Sequence, residues 1–376
     1  MELIWSKIPI KESEVCLSKV LRCGQTFRWK NINNVWTFST SDRIILLKQD
    51  SSNIYYSQIM SHQNKSTTND TKTIDFINDY LTLDIKLEKL YTQWKANHEP
   101  YKHKSSTSPF DSFTGIRTLR QDPWECLICF ICSSNNNVKR ISKMCDNLCV
   151  NFGNYINDYQ GHSFYSFPTP KQLSGDDVET KLRNLGFGYR ASYIYKTAKM
   201  FTNDEQFPNI TLTNLNELRN KSYEESHAFL IQLCGVGPKV ADCICLMSLD
   251  KSDIVPIDTH IYQIAIRDFK FKGKKDLKTL NLKLHSEIRQ FFKNIFGDYA
   301  GWAQSVLFAA DLSDLNNGIN DVEPVKEEIK SIKNEVVKVV EKNTNKRKIL
   351  SDVETNIKVE TGSKKIKVSR SVKVEV

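Results

Sequence analysis

A glycine-rich turn that leads directly into a lysine is the stretch of this sequence with the clearest capacity for chemistry. It contains Gly235, Gly237, Pro238 and Lys239 in that order. Glycine allows positive φ angles and close backbone approach, and proline suits the first turn of a helix. Because both flanking segments have apolar residues at helical spacing, the pattern predicts two helices joined by a tight hairpin. The unpaired amides of such a turn suit a phosphate group.

Lys239 and Asp258 have the residue types of a nucleophile and its carboxylate partner. Asp258 follows Lys239 by nineteen residues and stands at the predicted N-cap of a helix. An amine that attacks a sugar carbon must be neutral, and a helix N-terminus in a desolvated pocket can lower the pKa of a lysine. Cys243 lies four residues after Lys239 and shares its helix face. Simpler roles stay open here: Lys239 as a phosphate contact or a solvated side chain, and Asp258 as a cap alone.

Composition fits a globular protein with a polyanionic partner. The chain has 376 residues, of which 40% are hydrophobic, and a formal net charge of +9. This length is enough for roughly two or three packed units, and the charge suits a polyanion. We expect neither a transmembrane helix nor a signal or transit peptide. The ten cysteines, several within apolar helical runs, indicate free thiols in a reducing compartment.

Three regions differ in pattern: residues 1–112, 113–312 and 313–376. The first has short β-favouring runs separated by polar turns, as in an antiparallel meander; these runs are residues 27–29, 35–38, 43–48 and 54–56. The second is nearly all helical. The third is rich in Lys, Glu, Asn and Val and lacks aromatic residues, so we expect a disordered charged tail. Its basic clusters, residues 346–348 and 364–367, fit nuclear import, non-specific DNA contact or simply a solvated surface.

Several side chains in the helical region have simple structural interpretations. Three cysteines recur at three-residue intervals within one apolar helix, which indicates core packing and not a metal site; they are Cys126, Cys129 and Cys132. Tyr189 follows a Gly-x-Gly turn and is either a half-buried surface aromatic or a residue presented to a partner. Gln304 lies within an apolar helix, where an amide is usually a satisfied core group and less often lines a pocket.

Six motifs together resemble the 8-oxoguanine DNA glycosylase/AP lyase family of the helix–hairpin–helix superfamily. They are residues 23–29, 130–137, 185–190, 235–243, 255–260 and 301–308. The resemblance covers most of residues 14–48 and 113–312. It implies an α+β fold, in which an N-terminal antiparallel, TBP-like β-sheet domain precedes helical helix–hairpin–helix glycosylase domains.

The resemblance also implies a bifunctional DNA repair enzyme. Such an enzyme flips 8-oxoguanine, and formamidopyrimidine, out of a pair with cytosine, because the glycosidic bond is out of reach inside the stack. Lys239 would attack the anomeric carbon, expel the base and form a Schiff base that permits β-elimination. Asp258 would stabilise positive charge on the sugar and assist proton transfers.

Further residues receive roles from the resemblance. Gly24 would offer its carbonyl to the N7 hydrogen of the oxidised purine, and Gln304 would contact the Watson–Crick edge. Cys243 and Phe308 would cover the two faces of the base. DNA contacts are implied for Asn135, Arg140, Tyr189 and Arg190 around the orphaned cytosine, and for Gly235, Gly237, Val240 and His260 on backbone phosphates.

No cofactor and no metal ion are implied. The endonuclease III branch carries a four-cysteine iron–sulfur loop after its catalytic aspartate, whereas no cysteine follows Cys245 here. Monofunctional members lack the hairpin lysine, so Lys239 favours lyase activity. The implied partner is double-stranded DNA, with no membrane attachment and a monomeric state; we expect a nuclear location, and the sequence leaves mitochondrial sharing open.

Two other functions compete with this one. A related enzyme for oxidised pyrimidines would keep the catalytic pair, but Gly24 and the segment containing Gln304 and Phe308 argue against it. A non-enzymatic DNA-binding protein would use the hairpin only for phosphates. The presence of both Lys239 and Asp258 argues against that alternative.

Overall fold

The structure, a computed structural model, describes residues 3–62, 71–102, 107–273 and 281–312. The expected tail, with its basic clusters at 346–348 and 364–367, lies outside the described residues. The described sheet and helices belong to one compact unit, Met1–Glu323. None of the described helices is long and apolar enough to cross a membrane.

Five antiparallel strands form the N-terminal sheet, in the spatial order β1-β5-β4-β3-β2. They are β1 (Ser6–Ile8), β2 (Lys30–Ile32), β3 (Val35–Ser39), β4 (Arg43–Gln49) and β5 (Ile54–Met60). Asn33 and Asn34 join β2 to β3 with φ angles of 50° and 64°, as a two-residue type I′ hairpin requires. The predicted antiparallel meander is therefore confirmed.

Residues 27–29 are not a strand, contrary to the prediction; they precede β2. Their side chains are buried individually instead of alternating across a sheet. Trp29 donates its indole N–H to the hydroxyl of Tyr80 at 3.1 Å, and Phe27 packs edge-on against Phe130 at 5.6 Å. Tertiary packing has overridden a local β preference here.

Helices make up most of the remaining structure. In chain order they are α1 (Leu17–Val20), α2 (Lys72–Tyr80), α3 (Leu87–His98), α4 (Pro109–Ser112), α5 (Pro123–Ser133), α6 (Val138–Phe152), α7 (Pro170–Leu173), α8 (Val178–Asn184), α9 (Arg190–Met200), α10 (Leu212–Glu217), α11 (Tyr223–Leu230), α12 (Pro238–Ser248), α13 (Thr259–Phe269), α14 (Leu282–Phe296) and α15 (Ala300–Asp311). The predicted α+β fold, a sheet followed by a helical region, is confirmed.

One β-hairpin interrupts the helical region and was not predicted. It consists of β6 (Tyr155–Tyr159) and β7 (His162–Tyr165), joined by Gln160 and Gly161 with φ angles of 51° and 78°. Its apolar side chains pack in one cluster with those of the N-terminal sheet; the buried members are Ile32, Ile44, Leu46, Ile59, Ile156, Tyr159 and Phe164. The hairpin therefore depends on a surface that is distant in sequence.

The segment that carries Gly24 is anchored to the start of the helical region by buried hydrogen bonds. Gln25 donates to the carbonyl of Arg117 at 2.8 Å and accepts from the amide of Leu119 at 2.9 Å. Arg28 lies 2.5 Å from a carboxylate oxygen of Glu125 in α5. Removing one partner of a buried hydrogen bond or of a buried ion pair leaves a polar or charged group unpaired, which strongly destabilises the protein. These contacts fix the backbone of Gly24 relative to α5.

Candidate active site

A small pocket brings together all six residues that the sequence suggested for the reaction and for base binding. Its lining is Cys23, Gly24, Gln25, Phe130, Lys239, Cys243, Met247, Pro256, Asp258, Gln304, Ser305 and Phe308. Its volume is about 50 Å³, which is room for a few water molecules but not for a purine. The pocket must therefore widen before a flipped base can enter.

The hairpin places Lys239 inside this pocket. Gly235 adopts a φ of +82°, Gly237 is the N-cap of α12, and Pro238 is its first residue. Lys239 then follows in the first turn, with its Nζ atom 5.7 Å from the centre of the Phe130 ring. The two helices joined by a tight hairpin, as expected from the sequence, are present. They direct the Lys239 amine into the pocket.

The pKa of Lys239 is raised in the DNA-free protein, contrary to the expectation of a lowered value. Burial pushes this pKa down, but the charges of Cys243 and Asp258 push it up and outweigh burial. Burial raises the pKa of the Cys243 thiol to about 11.

Asp258 has two roles that the geometry combines. One carboxylate oxygen accepts a hydrogen bond from the amide of Ile261 at 3.0 Å, which caps α13 as predicted. The same side chain lines the pocket with Lys239. Capping thus fixes the orientation of the carboxylate beside the amine.

Gly24 and Phe308 approach each other across the pocket. Gly24 has a φ of +83°, and a Cβ atom built on it would lie 3.3 Å from Cε1 of Phe308. A side chain at this position would be strained and would narrow the pocket. The glycine leaves the backbone open to a bound ligand.

Gln304 is a buried amide with no hydrogen-bond partner for its side chain among the residues that the structure describes. It lines the pocket and is only 5% exposed. By contrast, the buried amides of Gln25 and Gln121 are both satisfied. Neither amide atom of Gln304 is among the fully buried side-chain atoms that lack a partner, so the amide is open to the pocket, which favours a pocket-lining role over a satisfied core amide.

A loop beside the pocket gathers the residues suggested for the opposite strand. Asn135 is exposed and has a φ of +47°. The carbonyl of Ser134 accepts hydrogen bonds from Tyr189, at 3.0 Å, and from Arg190. Arg140 is exposed and donates to the carbonyl of Gly186 at 3.2 Å.

Arg190 is not free to contact a DNA base in this structure, because its side chain is buried and already hydrogen-bonded. It is only 3% exposed, and its guanidinium donates to the carbonyls of both Ser134 and Asn135. It also lies 4.5 Å over the ring of Tyr189. In the DNA-free protein Arg190 therefore holds the loop that carries Asn135.

An open groove of about 770 Å³ follows the hairpin. It contains the suggested phosphate-binding residues Gly235, Gly237 and Val240, together with Ser134, Pro238, Lys239, Asn281, Leu282, Lys283 and His285. The first turn of α14 thus forms a wall that sequence analysis missed. His260 lies instead beside Phe308, at 6.1 Å between ring centres, and its Nδ1 is 3.7 Å from Asp311.

Sequence comparison is consistent with this geometry. The N-terminal domain of 8-oxoguanine DNA glycosylase matches residues 7–127, and the HhH-GPD superfamily of base excision DNA repair proteins matches residues 128–290. The N-glycosylase/DNA lyase of Saccharomyces cerevisiae is 38% identical over 83% of this chain and 87% of its own length. The N-glycosylase/DNA lyase OGG1 of Arabidopsis thaliana is 34% identical over 82% and 80%. The chain belongs to the 8-oxoguanine DNA glycosylase/lyase family.

Solved structures agree with this assignment. The 8-oxoguanine glycosylase/lyase of Clostridium acetobutylicum, bound to double-stranded DNA with cytosine opposite 8-oxoguanine, is 25% identical to this glycosylase. The match covers 84% of this chain and 99% of that one, with a TM-score of 0.66. The protein is therefore a DNA N-glycosylase with lyase activity, and the fold and the enzyme class predicted from sequence are confirmed.

A larger cavity of the glycosylase is not the reaction site. It measures about 460 Å³, and its wall includes the guanidinium groups of Arg28, Arg120 and Arg219. Each of these is engaged by carboxylates or carbonyls of the protein. The smaller pocket holds Lys239, Asp258 and the amide of Gln304, so it is the candidate active site.

Tyr193 is a residue of the glycosylase that sequence analysis did not single out. It lies one helical turn after Tyr189 in α9, and the two rings meet edge-on at 5.6 Å. The same side chain covers Gly235, where a built Cβ would lie 2.6 Å from Cδ2 of Tyr193. Tyr193 thus connects the exposed aromatic to the hairpin turn. Tyr193 can pack here only because Gly235 has no side chain. The spacing of residues in the sequence does not reveal this contact.

Replacing Tyr193 with alanine should slow base excision roughly tenfold, because a small displacement of reacting groups has effects of this size or larger. Tyr193→Phe keeps the ring against Gly235 and is the matched control, for which we expect nearly wild-type rates. Single-turnover excision and duplex affinity by fluorescence anisotropy measure the effect. Equal behaviour of the two variants would show that the ring contact is unimportant.

Proposed function

We propose that this glycosylase excises 8-oxoguanine paired with cytosine, and the related formamidopyrimidine, and then nicks the strand through a Schiff base on Lys239. The observation that carries the proposal is the pocket itself, where Lys239 and Asp258 meet Gly24 and the unpaired amide of Gln304. The lesion and the paired cytosine named for the Clostridium complex support the substrate.

Recognition of the base would rest on few groups. The carbonyl of Gly24 accepts the N7 hydrogen that only the oxidised purine carries, and Gln304 binds the Watson–Crick edge. Cys243 and Phe308 cover the faces of the ring. Guanine would leave the Gly24 carbonyl unpaired, and a site built on a hydrogen bond rejects a ligand that lacks the partner.

Gly24→Ala should slow 8-oxoguanine excision by about tenfold or more, since the added methyl meets Phe308 at 3.3 Å and an alanine at positive φ costs ~1–2 kcal/mol. Gly297→Ala is the matched control, because Gly297 has a φ of +72° with nothing within 4 Å of its built Cβ. Gly297→Ala should lose at least as much thermal stability, because Gly297 combines its positive φ with a ψ of −146°, a conformation that is nearly restricted to glycine. If both also lose similar activity, the pocket contact at Gly24 is irrelevant.

The reaction would begin with loss of a proton from Lys239. Because the pKa of Lys239 is raised, we expect the rate to rise with pH as this proton is released to solvent, while Asp258 stays a carboxylate. The free amine forms a bond to C1′ while the bond from C1′ to the base breaks. The base leaves with that electron pair and takes up a proton.

Strand cleavage would follow from the same intermediate. The nitrogen of Lys239 loses a proton after it bonds to C1′, and its lone pair then forms a protonated imine as the bond from C1′ to O4′ breaks and O4′ takes up a proton. Loss of a proton from C2′ and departure of the 3′ phosphate complete β-elimination, and water then hydrolyses the imine to release the enzyme. Asp258 stabilises the positive charge on the sugar during base departure.

The remaining suggested residues would bind the DNA. Asn135 fills the gap left by the flipped base, Tyr189 wedges the stack, and Arg140 contacts the orphaned cytosine. Arg190 borders the cytosine while holding the Asn135 loop. Backbone phosphates bind His260 and the amides of the hairpin residues Gly235, Gly237 and Val240.

We further propose that the enzyme acts as a monomer in the nucleus. The basic character of the chain, +9 overall, and the basic clusters of the tail support nuclear import. Imaging of the tagged full-length chain with and without residues 313–376 tests the location.

Borohydride trapping tests the chemistry directly. Duplexes contain one 8-oxoguanine opposite cytosine, one opposite thymine, or no damage. We expect a covalent adduct with the cytosine-paired lesion and little or none with the others. Release of the base without any adduct would mean a monofunctional reaction. Neither release nor adduct from folded protein would overturn the proposal.

A further inference from the structure

A buried polar cluster lies behind the catalytic helix and takes no part in the reaction described above. At its centre is Asp242, whose side chain is 0% exposed. Its carboxylate accepts a hydrogen bond from the hydroxyl of Tyr223 at 2.8 Å and from Nη2 of Arg289 at 2.6 Å. The guanidinium of Arg289 also lies 4.9 Å from the centre of the Tyr223 ring.

The three side chains come from the three helices that frame the hairpin. Tyr223 opens α11, the arm before the turn, and Asp242 belongs to α12, the arm after it. Arg289 belongs to α14, whose first turn forms a wall of the groove. Asp242 is three residues after Lys239, so it lies about one helical turn away. The contacts therefore brace both arms of the hairpin against each other and against the groove wall.

We propose that Asp242, held by Tyr223 and Arg289, is a positioning residue that sets the place of the Lys239 amine in the pocket. Hydrogen bonds and a charged pair have directional geometry, whereas apolar packing alone would allow α12 to shift or rotate. Replacing a buried ion pair with apolar residues is often neutral or stabilising, so stability alone does not explain this cluster. The inference rests on the proposed role of Lys239 as the nucleophile.

Charged and titratable groups surround Asp242 on every side. His227 faces it from α11, His285 and Arg289 from α14, and Lys239 and Cys245 from its own helix. Burial lowers the pKa of both His227 and His285, so both are neutral at pH 7. The charge of Asp242 raises the pKa of Lys239. Its removal should therefore shift the acid limb of the rate profile to lower pH.

The test compares single-turnover excision, on the 8-oxoguanine–cytosine duplex with saturating full-length enzyme, among four variants: Arg289→Met, Asp242→Asn, the double variant, and Lys293→Met. Lys293 is the matched control, since it lies one turn further along α14 and pairs with Asp253 at 2.5 Å on the surface. All rates are measured well below the melting temperature of each variant.

We expect Arg289→Met to slow excision by roughly 10- to 100-fold, while affinity for undamaged duplex stays within about twofold of wild type. The double variant should regain much of the rate, because the introduced amide still accepts from Tyr223 and no buried charge is left unpaired. Asp242→Asn should shift the acid limb to lower pH, and Lys293→Met should do neither. A purely structural role would lower the melting temperature without moving the pH profile.

Several outcomes separate the hypotheses. If Arg289→Met and Asp242→Asn have the same rates and pH profiles as Lys293→Met, Asp242 is not a positioning residue. A wild-type enzyme that gives no borohydride adduct would instead overturn the proposed function. Should Arg289→Met not fold, Tyr223→Phe removes one hydroxyl and keeps the ring. That variant should still slow excision several-fold, and a wild-type rate would contradict the inference.

Discussion

Replacing Lys239 with glutamine should abolish base excision and borohydride trapping while the enzyme still binds duplex DNA. The amine is the proposed nucleophile, and loss of a nucleophile costs on the order of 10⁴-fold or more. Glutamine has a similar length and no charge, so the pocket should keep its shape. Single-turnover assays with saturating enzyme measure the chemical step, and fluorescence anisotropy measures binding.

The matched control for this prediction is Lys283→Gln. Lys283 lines the hairpin groove, and its side chain is 87% exposed. Loss of its charge should weaken binding modestly and reduce the salt dependence, with little change in the chemical step at saturation. If Lys239→Gln loses binding and excision to the same extent, Lys239 is a phosphate contact and not the nucleophile.

Asp258→Asn should slow excision by about 10²- to 10³-fold, the usual loss when one preorganised electrostatic group is removed from a reaction site. The substitution separates the two roles of this residue. Asparagine caps helices about as well as aspartate, so α13 should keep its N-cap and the protein its melting temperature. The variant lacks only the charge beside Lys239 and the sugar.

Asp258→Ala completes the comparison, because it removes both the charge and the cap. Its excision rate should fall as much as that of Asp258→Asn. Because the cap is also lost, its free energy of unfolding, measured by urea denaturation, should fall by about 1 kcal/mol. Near-normal excision in Asp258→Asn together with poor excision in Asp258→Ala would contradict an electrostatic role. It would show that capping of α13 is the only contribution of Asp258.

The raised pKa of Lys239 adds a constraint to the mechanism. In the DNA-free protein the amine is protonated at neutral pH, since interactions with Cys243 and Asp258 together outweigh the effect of burial on its pKa. The pocket is also too small for a base. Under the proposed mechanism, the pocket must therefore widen and Lys239 must lose a proton before the amine attacks.

Local features of the sequence determined much of the fold. The glycine-rich turn, Pro238 and the capping position of Asp258 predicted the hairpin and the start of α13, because backbone conformation and capping depend on near neighbours. Alternating β-favouring runs predicted most of the N-terminal sheet. The motifs themselves were enough to suggest the family and the identity of the pocket residues.

Contacts between distant segments could not be predicted in the same way. The β6–β7 hairpin lies in a helical region and packs on the first sheet, and residues 27–29 leave the strand pattern because their side chains are buried separately. Three contacts around the site likewise depend on packing in three dimensions. Gly24 lies against Phe308, Arg190 donates to the carbonyl of Asn135, and Tyr193 covers Gly235.

The pKa of Lys239 and the ion pairing around it also depended on the tertiary structure. Sequence reasoning predicted a lowered pKa for Lys239 from the helix N-terminus and burial, but in the structure interactions with Cys243 and Asp258 raise this pKa. It likewise pairs Asp242 with Arg289, which lies 47 positions further along the chain. The sequence by itself determined which groups could react and which turns could present them. Only the tertiary structure decided their charges and partners, because a pKa depends on every charged neighbour in space and on the degree of burial.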